Sequence, residues 1–414
     1  MLSILVYNVA IRFYYLVIYL ATPFSHKAKL WIEGRKNWKD AFSRIDFGKG
    51  KRIWFHCASL GEFEQARPVI EEWKKSHSDD FIILTFFSPS GYEVRRSYQS
   101  ADLIMYLPLD THKNAHAFLE AVKPDIALFT KYEFWFHYLQ ELKARKITVI
   151  LFSSVFRKEQ VFFRWYGSFF RSMLGCFTKV FVQNIYSQQL LKTISIESEV
   201  CFDTRFDRVN NIMQRRKMFD SIEKFKGKRK LIVAGSTWMP DEELLVSLIN
   251  ESVLQECKFI IAPHNINQHS IDALVTRIKR QVIRFSEIND SNTHMADVVI
   301  VDNVGNLASL YAYAEVAYVG GGFNSSVHNV LEPAVYGIPV LFGPNHQKSE
   351  EAKDIVDYPI DDYFTFKHAL DELIGDAEKR NTIGLKNKQY VQHRLGGSLR
   401  IVAYMNQIIN PTIS

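Results

Sequence analysis

Strand-like and helix-like stretches alternate along this chain in two separate series, and nothing else in it limits the fold so strongly. In the first series residues 53–58 (IWFHCA), 81–87 (FIILTFF), 102–107, 125–130 (DIALFT), 148–153 (TVILFS) and 179–183 (KVFVQ) read as strands. Helical patterns over 65–75 and 113–122 lie between them. In the second series residues 231–234, 259–262, 298–301, 316–319 and 340–342 read as strands, with helices over 242–250 and 269–280. Strands that are apolar throughout need cover on both faces, which is how parallel sheets sit between helices. The polar, strongly charged stretch 210–230 separates the series. The expected fold class is α/β, with two doubly wound, Rossmann-like domains. In such sheets ligands bind beyond the carboxyl ends of the strands. Each polar motif described below falls at such an end.

A chain of 414 residues has room for two domains of ordinary size. The four cysteines, Cys57, Cys176, Cys201 and Cys257, form no C-x-x-C pair. That spacing argues against a zinc site or a disulfide framework. Between residues 25 and 52 there are nine basic and three acidic side chains, so nine minus three gives +6, which equals the net charge of the whole chain. A nucleic-acid-binding protein more often spreads basic residues over a face. Here they follow an apolar segment, and no nucleic-acid partner is expected.

That segment, residues 2–24, is rich in Leu, Ile, Val, Phe and Tyr and is long enough to span a bilayer. It lacks the basic start and small-residue cleavage site of a signal peptide. The basic residues after it hold that side in the cytoplasm. Arg12 is awkward at bilayer depth, so a helix lying in the interface is a second reading, and a buried helix of the body a third.

Two motifs carry chemistry on their own terms. The first is Gly320-Gly321-Gly322-Phe323-Asn324-Ser325-Ser326-Val327-His328-Asn329-Val330-Leu331-Glu332. It reads as a strand end, a glycine run and a helix opened by His328 and Asn329. Bare amides of Gly321 and Gly322 at a helix start make an anion site, and Glu332 one turn on suits a ribose hydroxyl pair. A nucleotide is the natural ligand, and a tight turn with a capping Asn the plainer alternative. The second is Ala58-Ser59-Leu60-Gly61-Glu62, at the end of the first strand. Glu62 starts a helix there, where a carboxylate can take a proton from an acceptor hydroxyl. The helix dipole is expected to lower its pKa. Further polar turns, Ala234-Gly235-Ser236-Thr237, Ala262-Pro263-His264-Asn265 and Val301 through Leu307, follow strands of the second series. Singly they are caps; together on one strand-end face they suggest a site.

In this order the motifs resemble the Kdo transferases, the 3-deoxy-D-manno-octulosonic acid transferases of lipopolysaccharide assembly. The resemblance runs over nearly the whole chain. It includes the apolar anchor followed by KLWIEGRKNW, ASLGE at Glu62, and LPLD at Asp110. It continues through an E-x-W element at Glu133-Phe134-Trp135, TRFD at Arg205-Phe206-Asp207, AGST, APHN, VDNVGNLASLY and VGGGF through G-P-V-L-F-G-P. The chain departs from the family pattern at Ser154-Val155-Phe156-Arg157, at His264-Asn265 and at Cys201-Phe202-Asp203.

The resemblance implies the GT-B arrangement of glycosyltransferases, two doubly wound domains facing across a cleft, with a single amino-terminal membrane-anchoring helix. It implies an inverting transfer that uses no metal and no cofactor. CMP-Kdo is the donor and a lipid A precursor, lipid IVA, the acceptor, at the cytoplasmic face of a bacterial inner membrane whose lipids are further partners. By the family pattern Glu62 is the general base. CMP then lies against Ser236, Thr237, Pro263, His264, Gly305, Asn306, Asn329 and Glu332. Lys131, Arg157 and Arg205 are candidates for the acceptor phosphate or the Kdo carboxylate. The expected divisions are an anchor over 1–24, an acceptor domain over 25–208, a linker over 209–229, a donor domain over 230–395 and a closing helix over 396–414 that packs back on the first domain. Two other readings stand beside this one: another GT-B nucleotide-sugar enzyme, such as a UDP-sugar transferase or epimerase, and a membrane-tethered nucleotide-binding module without catalysis.

Overall fold

The computed structural model describes residues 2–42, 45–251, 256–289 and 291–410. Position 1 of the expected anchor and positions 411–414 of the expected closing helix lie outside the described residues. The chain folds into two compact units, Met1–Asp207 together with Leu395–Ser414, and Arg208–Arg394.

The first unit is built on strands β1 (Arg52–Cys57), β2 (Phe81–Phe86), β3 (Leu103–Tyr106), β4 (Ile126–Thr130), β5 (Thr148–Ser154), β6 (Lys179–Val182) and β7 (Glu199–Val200). They form one parallel sheet in the order β3-β2-β1-β4-β5-β6-β7. Both faces are covered, as the unbroken apolar strands require. On β1, Ile53, Phe55 and Cys57 join one core with Val69, Ile70 and Trp73 of helix Leu60–Ser76. Ile401, Val402 and Met405 of the last helix, Gly397–Ile409, complete that layer. Trp54 points the other way, into a core with Phe118 and Leu119 of helix His112–Val122 and Leu139 of helix Phe136–Ala144. Each fully buried side chain of this size contributes ~1.5–3 kcal/mol.

The second unit holds β8 (Lys230–Thr237), β9 (Cys257–Pro263), β10 (Val282–Arg284), β11 (Val298–Ile300), β12 (Val316–Val319) and β13 (Val340–Phe342). The sheet is again parallel, ordered β10-β11-β9-β8-β12-β13. Leu231 and Val233 of β8 face one core, Ile232 and Ala234 the other. The segment expected as a linker, 209–229, falls within this unit, and its helix Asp220–Lys226 buries Ile222 and Phe225 beside Leu231 and Val233. Strand order reverses between β1 and β4 in one sheet and between β8 and β12 in the other. Those two points are where a doubly wound sheet opens to a ligand.

The amino-terminal apolar segment forms one helix, Leu2–Ala21, long and apolar enough to cross a bilayer. None of its residues is fully buried. One side nevertheless touches the body, with Tyr14 5.8 Å from Trp31 and 6.0 Å from Phe87 by ring centroids. The basic run after it is not uniformly a surface feature. Arg35 is buried, donating to the carbonyls of Leu107, Trp31 and Phe87 at 2.9, 3.0 and 2.6 Å. Its guanidinium carbon lies 3.8 Å from the Trp31 ring centroid. Burial lowers its pKa to about 9. The aromatic stretch 161–170 is mostly core, with Phe162 buried and Phe163, Phe169 and Phe170 packed against it. Only Trp165 and Tyr166 of that stretch stand out as exposed large rings, at 91% and 56%.

Candidate active site

At the reversal point of the first sheet, Glu62 sits in the first turn of helix Leu60–Ser76, directly beyond β1. Its Oε2 accepts from the Ala58 amide, so the carboxylate closes its own helix start. Burial raises its pKa to about 8, the Glu133 carboxylate adds to the rise, and the Ala58 amide, Lys131 and the Ser59 amide oppose it. The helix-start dipole was expected to lower this pKa; desolvation beside a second carboxylate outweighs it.

Glu133 and Lys131 stand at the end of the neighbouring β4. Lys131 has a left-handed backbone, φ +57. Glu133 belongs to a buried network that sequence reasoning did not foresee. His56 Nε2 lies 3.1 Å from Glu133 Oε2, and its Nδ1 2.8 Å from Thr85 Oγ1. Trp54 Nε1 donates to that same Thr85 hydroxyl at 2.9 Å, and Trp135 Nε1 donates to Glu133 Oε2 at 2.7 Å. Trp135 Nε1 also lies 3.0 Å from His56 Nε2, and the Thr85 hydroxyl donates to the Phe55 carbonyl at 3.3 Å, so the indole proton is shared between His56 and Glu133. The signal was the histidine in an otherwise apolar strand, IWFHCA.

The three expected cations are placed differently from one another. Lys131 shares Glu62's surroundings and also acts on Asp203. Arg205 bonds Asp203 Oδ2 through Nε at 3.1 Å and Nη2 at 2.9 Å. Asp203 also accepts from Gln65 and Gln183 at 2.6 and 2.8 Å. Burial works to raise its pKa, but Arg205 and Lys131 hold it below the ordinary carboxylate value. Arg157 is exposed in the turn after β5, its amide bonded to Gln160 Oε1 at 3.0 Å.

The second sheet gathers its residues at the reversal of β8 and β12. A bulge between Gly235 and Thr237 breaks the pairing with β9, and Ser236 takes φ +55 there. A non-glycine residue held in that region, like Lys131, marks strain of the sort that gathers at functional positions. Thr237 is buried, its hydroxyl 3.4 Å from Glu242 Oε1. Pro263 ends β9, and the amide of exposed His264 donates to the Thr237 carbonyl at 2.8 Å. Gly305, at φ +90, has open space where a side chain would project. Asn306 precedes the short helix Leu307–Leu310 but makes no side-chain cap bond. Instead it donates to Asn303 Oδ1 at 2.7 Å and accepts from Lys217 Nζ at 2.9 Å.

Of the two amides expected to be bare, that of Gly321 is taken up within the fold. The Gly320 amide bonds the Gly235 carbonyl at 2.9 Å, and the Gly321 amide bonds Asp241 Oδ2 at 3.0 Å. The glycines serve close packing: a Cβ on Gly320 would lie 2.4 Å from the Ser236 carbonyl oxygen, and one on Gly322 2.5 Å from the Gly343 amide. His328 and Asn329 do not open the helix either. It spans only Leu331–Ala334, with Val330 as its cap. Asn329 accepts from the Leu331 amide at 3.2 Å and donates to Glu332 Oε1 at 3.1 Å. Burial raises the pKa of Glu332, opposed by Arg208 and Asn329.

Three rings meet at the same strand ends. Trp238 Nε1 donates to His328 Nε2 at 2.9 Å, with the ring planes 7° apart. His264 stacks on Trp238 at 4.2 Å and on His328 at 4.8 Å. An accepting Nε2 leaves His328 neutral with its proton on Nδ1. Burial lowers the pKa of both histidines. Among the described residues no group of three or more His, Cys, Asp or Glu is placed to hold a metal ion.

Solved structures share this double architecture. A UDP-GlcNAc 2-epimerase from Neisseria meningitidis aligns with TM-score 0.60 at 15% identity, over 86% of this chain and 100% of that one. MurG of Acinetobacter baumannii aligns with TM-score 0.56 at 11% identity, over 86% and 99%. At such identities the likeness shows the fold, which is GT-B. Sequence comparison narrows the class. Residues 36–208 match the family model described as 3-Deoxy-D-manno-octulosonic-acid transferase (kdotransferase). A 3-deoxy-D-manno-octulosonic acid transferase of Aquifex aeolicus is 29% identical, covering 74% of this chain and 79% of its own. Another from Chlamydia muridarum is 24% identical over 84% and 83%. A bifunctional glycosyltransferase/methyltransferase of Fusobacterium nucleatum is 25% identical over 86% of this chain, which spans 57% of that longer protein. The chain carries a Kdo transferase family domain over residues 36–208 and is similar beyond it to proteins named as such transferases; by class it is a glycosyltransferase.

Proposed function

We propose that this protein transfers Kdo from CMP-Kdo to a lipid A precursor, lipid IVA, with inversion and without a metal, at the cytoplasmic face of a bacterial inner membrane. The observation that carries the reading is Glu62, a carboxylate at the sheet reversal whose pKa is raised to about 8 by burial and Glu133. A base with that proton affinity matches the task of taking a hydroxyl proton near neutral pH. In the proposed reaction an acceptor hydroxyl gives its proton to Glu62 as its oxygen bonds the anomeric carbon of Kdo. The bond from that carbon to the CMP phosphate oxygen breaks, and its electron pair leaves with CMP. Ser236, Thr237, Pro263, His264, Gly305, Asn306, Gly321, Gly322, Asn329 and Glu332 are assigned to the donor, and Lys131, Arg157 and Arg205 to the acceptor phosphate or Kdo carboxylate. With the Gly321 amide taken up, weight moves from bare amides to side chains, so Ser236, Asn306 and the proton on His328 Nδ1 supply donors toward the phosphate. The helix Leu2–Ala21 is the membrane anchor in this reading. The deciding experiment incubates purified protein with CMP-Kdo and a tetraacyl lipid A precursor and weighs the product. A product heavier by one or more Kdo residues supports the reading, and unchanged acceptor overturns it.

A further inference from the structure

The network around Glu133 continues into the apolar amino-terminal helix. Asp110 is 1% exposed and accepts from the amides of His137 and Tyr138, both at 3.2 Å. It thereby closes the start of helix Phe136–Ala144, which begins directly after Glu133, Phe134 and Trp135. The Tyr7 hydroxyl donates to Asp110 Oδ2 and accepts from the Phe136 amide at 3.3 Å. Asn8 Oδ1 lies 2.6 Å from His137 Nε2. The Tyr7 ring packs on Phe136 at 5.7 Å. Two helical turns on, Tyr14 stacks on Phe87, and Phe87 packs on Trp135 at 4.6 Å. Trp135 is the donor that holds Glu133.

A helix that only anchors needs apolar surface. It has no use for a tyrosine bonded to a buried carboxylate or for an asparagine bonded to a histidine. Loss of the Tyr7 hydroxyl takes one donor from buried Asp110 and an acceptor from the Phe136 amide, and loss of the Asn8 amide takes the partner of His137 Nε2. These contacts converge on the turn that carries Glu133 and Trp135.

We propose that Tyr7 and Asn8 are positioning residues for Glu62, acting through Asp110 and the turn at Glu133–Trp135. The proposal rests on the reading of Glu62 as the base. The groups facing Glu62 are Glu133 and Lys131 beyond β4, the Cys57 thiol at the end of β1, and the amides of Ala58 and Ser59. Movement of the Glu133 turn shifts a like charge that faces the base and so alters its proton affinity. Helix insertion into a membrane and assembly of the site then depend on the same element.

Tyr7→Phe keeps the ring and removes only the hydroxyl. In full-length, detergent-solubilised protein assayed on dispersed acceptor, kcat should fall about tenfold, the scale of a small misplacement. The KM for CMP-Kdo should stay unchanged, and the ascending limb of the pH–rate profile should move. A wild-type kcat with a wild-type limb overturns the proposal. So does a fall in kcat accompanied by lost CMP-Kdo binding, which is general damage. If Tyr7→Phe does not fold, Asn8→Ala is read by the same two criteria. Glu62→Gln is measured beside them. Near-wild-type transfer by Glu62→Gln removes the reading of the base itself, whereas an inactive Glu62→Gln with an unaltered Tyr7→Phe removes only the positioning role.

Discussion

Glu62 combines a stability cost with a catalytic use. Its folded pKa, raised to about 8, lies above the ordinary carboxyl value of 4.5. Between those values the folded protein binds the proton and the unfolded chain does not. Stability contributed by this group is therefore present at low pH and lost as pH rises through about 8. Glu62→Gln, neutral at every pH, should raise the melting temperature more at about pH 8 than at about pH 5. The same substitution should lower transfer by ~10²–10⁴-fold, the usual contribution of a general base. CMP affinity, measured by calorimetry, should persist, because the residues assigned to CMP belong to the other unit. In the wild type, kcat/KM should rise with pH through about 8, and that limb should vanish in the variant. At the donor end, Glu332→Ala removes an acceptor bonded to Asn329. A charged hydrogen bond contributes about 1.5–3 kcal/mol, so CMP should bind about tenfold more weakly or worse. Unchanged CMP affinity in a folded Glu332→Ala protein would dismiss the ribose assignment.

At the scale of elements, what the sequence revealed depended on how long and how apolar each stretch is. The strands at 53–58, 81–87 and 148–153 were legible because both faces are buried and the runs are continuous. The two-residue β7 and the three-residue β10 were not, since Glu199–Val200 and Val282–Arg284 are only half-buried and too short for any periodicity. The position of Glu62 after β1 was legible from Ser59-Leu60-Gly61. The network behind it was not, because His56, Thr85 and Glu133 come from three strands or strand ends that pairing alone brings together. Of the two amides the glycine run offers to an anion, that of Gly321 is bonded to Asp241 within the fold, and the crowding of β8, β12 and β13 accounts for glycine at 320 and 322. That explanation predicts that Gly322→Ala, whose Cβ meets backbone at 2.5 Å, lowers the melting temperature markedly. Gly305→Ala meets no atom within 4 Å and is strained only by its φ of +90, so it should cost less. Thermal unfolding of the pair measures the difference.

On the scale of the whole molecule, the apolar helix carries two demands that pull on its surface differently. Leu5, Val6, Phe13 and Leu20 are 60% exposed or more, which suits insertion into a bilayer. Tyr7, Asn8 and Tyr14 face the body instead. Deleting residues 1–24 should therefore do two things. The chain should move largely to the soluble fraction, with residual attachment through the remaining basic residues weakening as salt rises. Arg35 adds nothing to that attachment, because it is buried against Trp31 and Phe87. Turnover on detergent-dispersed acceptor should fall as well, because Asp110 loses Tyr7 and the Trp31–Phe87 surface loses Tyr14. An anchor without a structural role would give release with full turnover. A truncated chain that stays on membranes at high salt would shift attention to Trp165 and Tyr166, the exposed rings of the 161–170 stretch. Measuring partition and turnover on the same truncated preparation separates the two demands, since salt acts on the first and leaves the second where the missing hydroxyl put it.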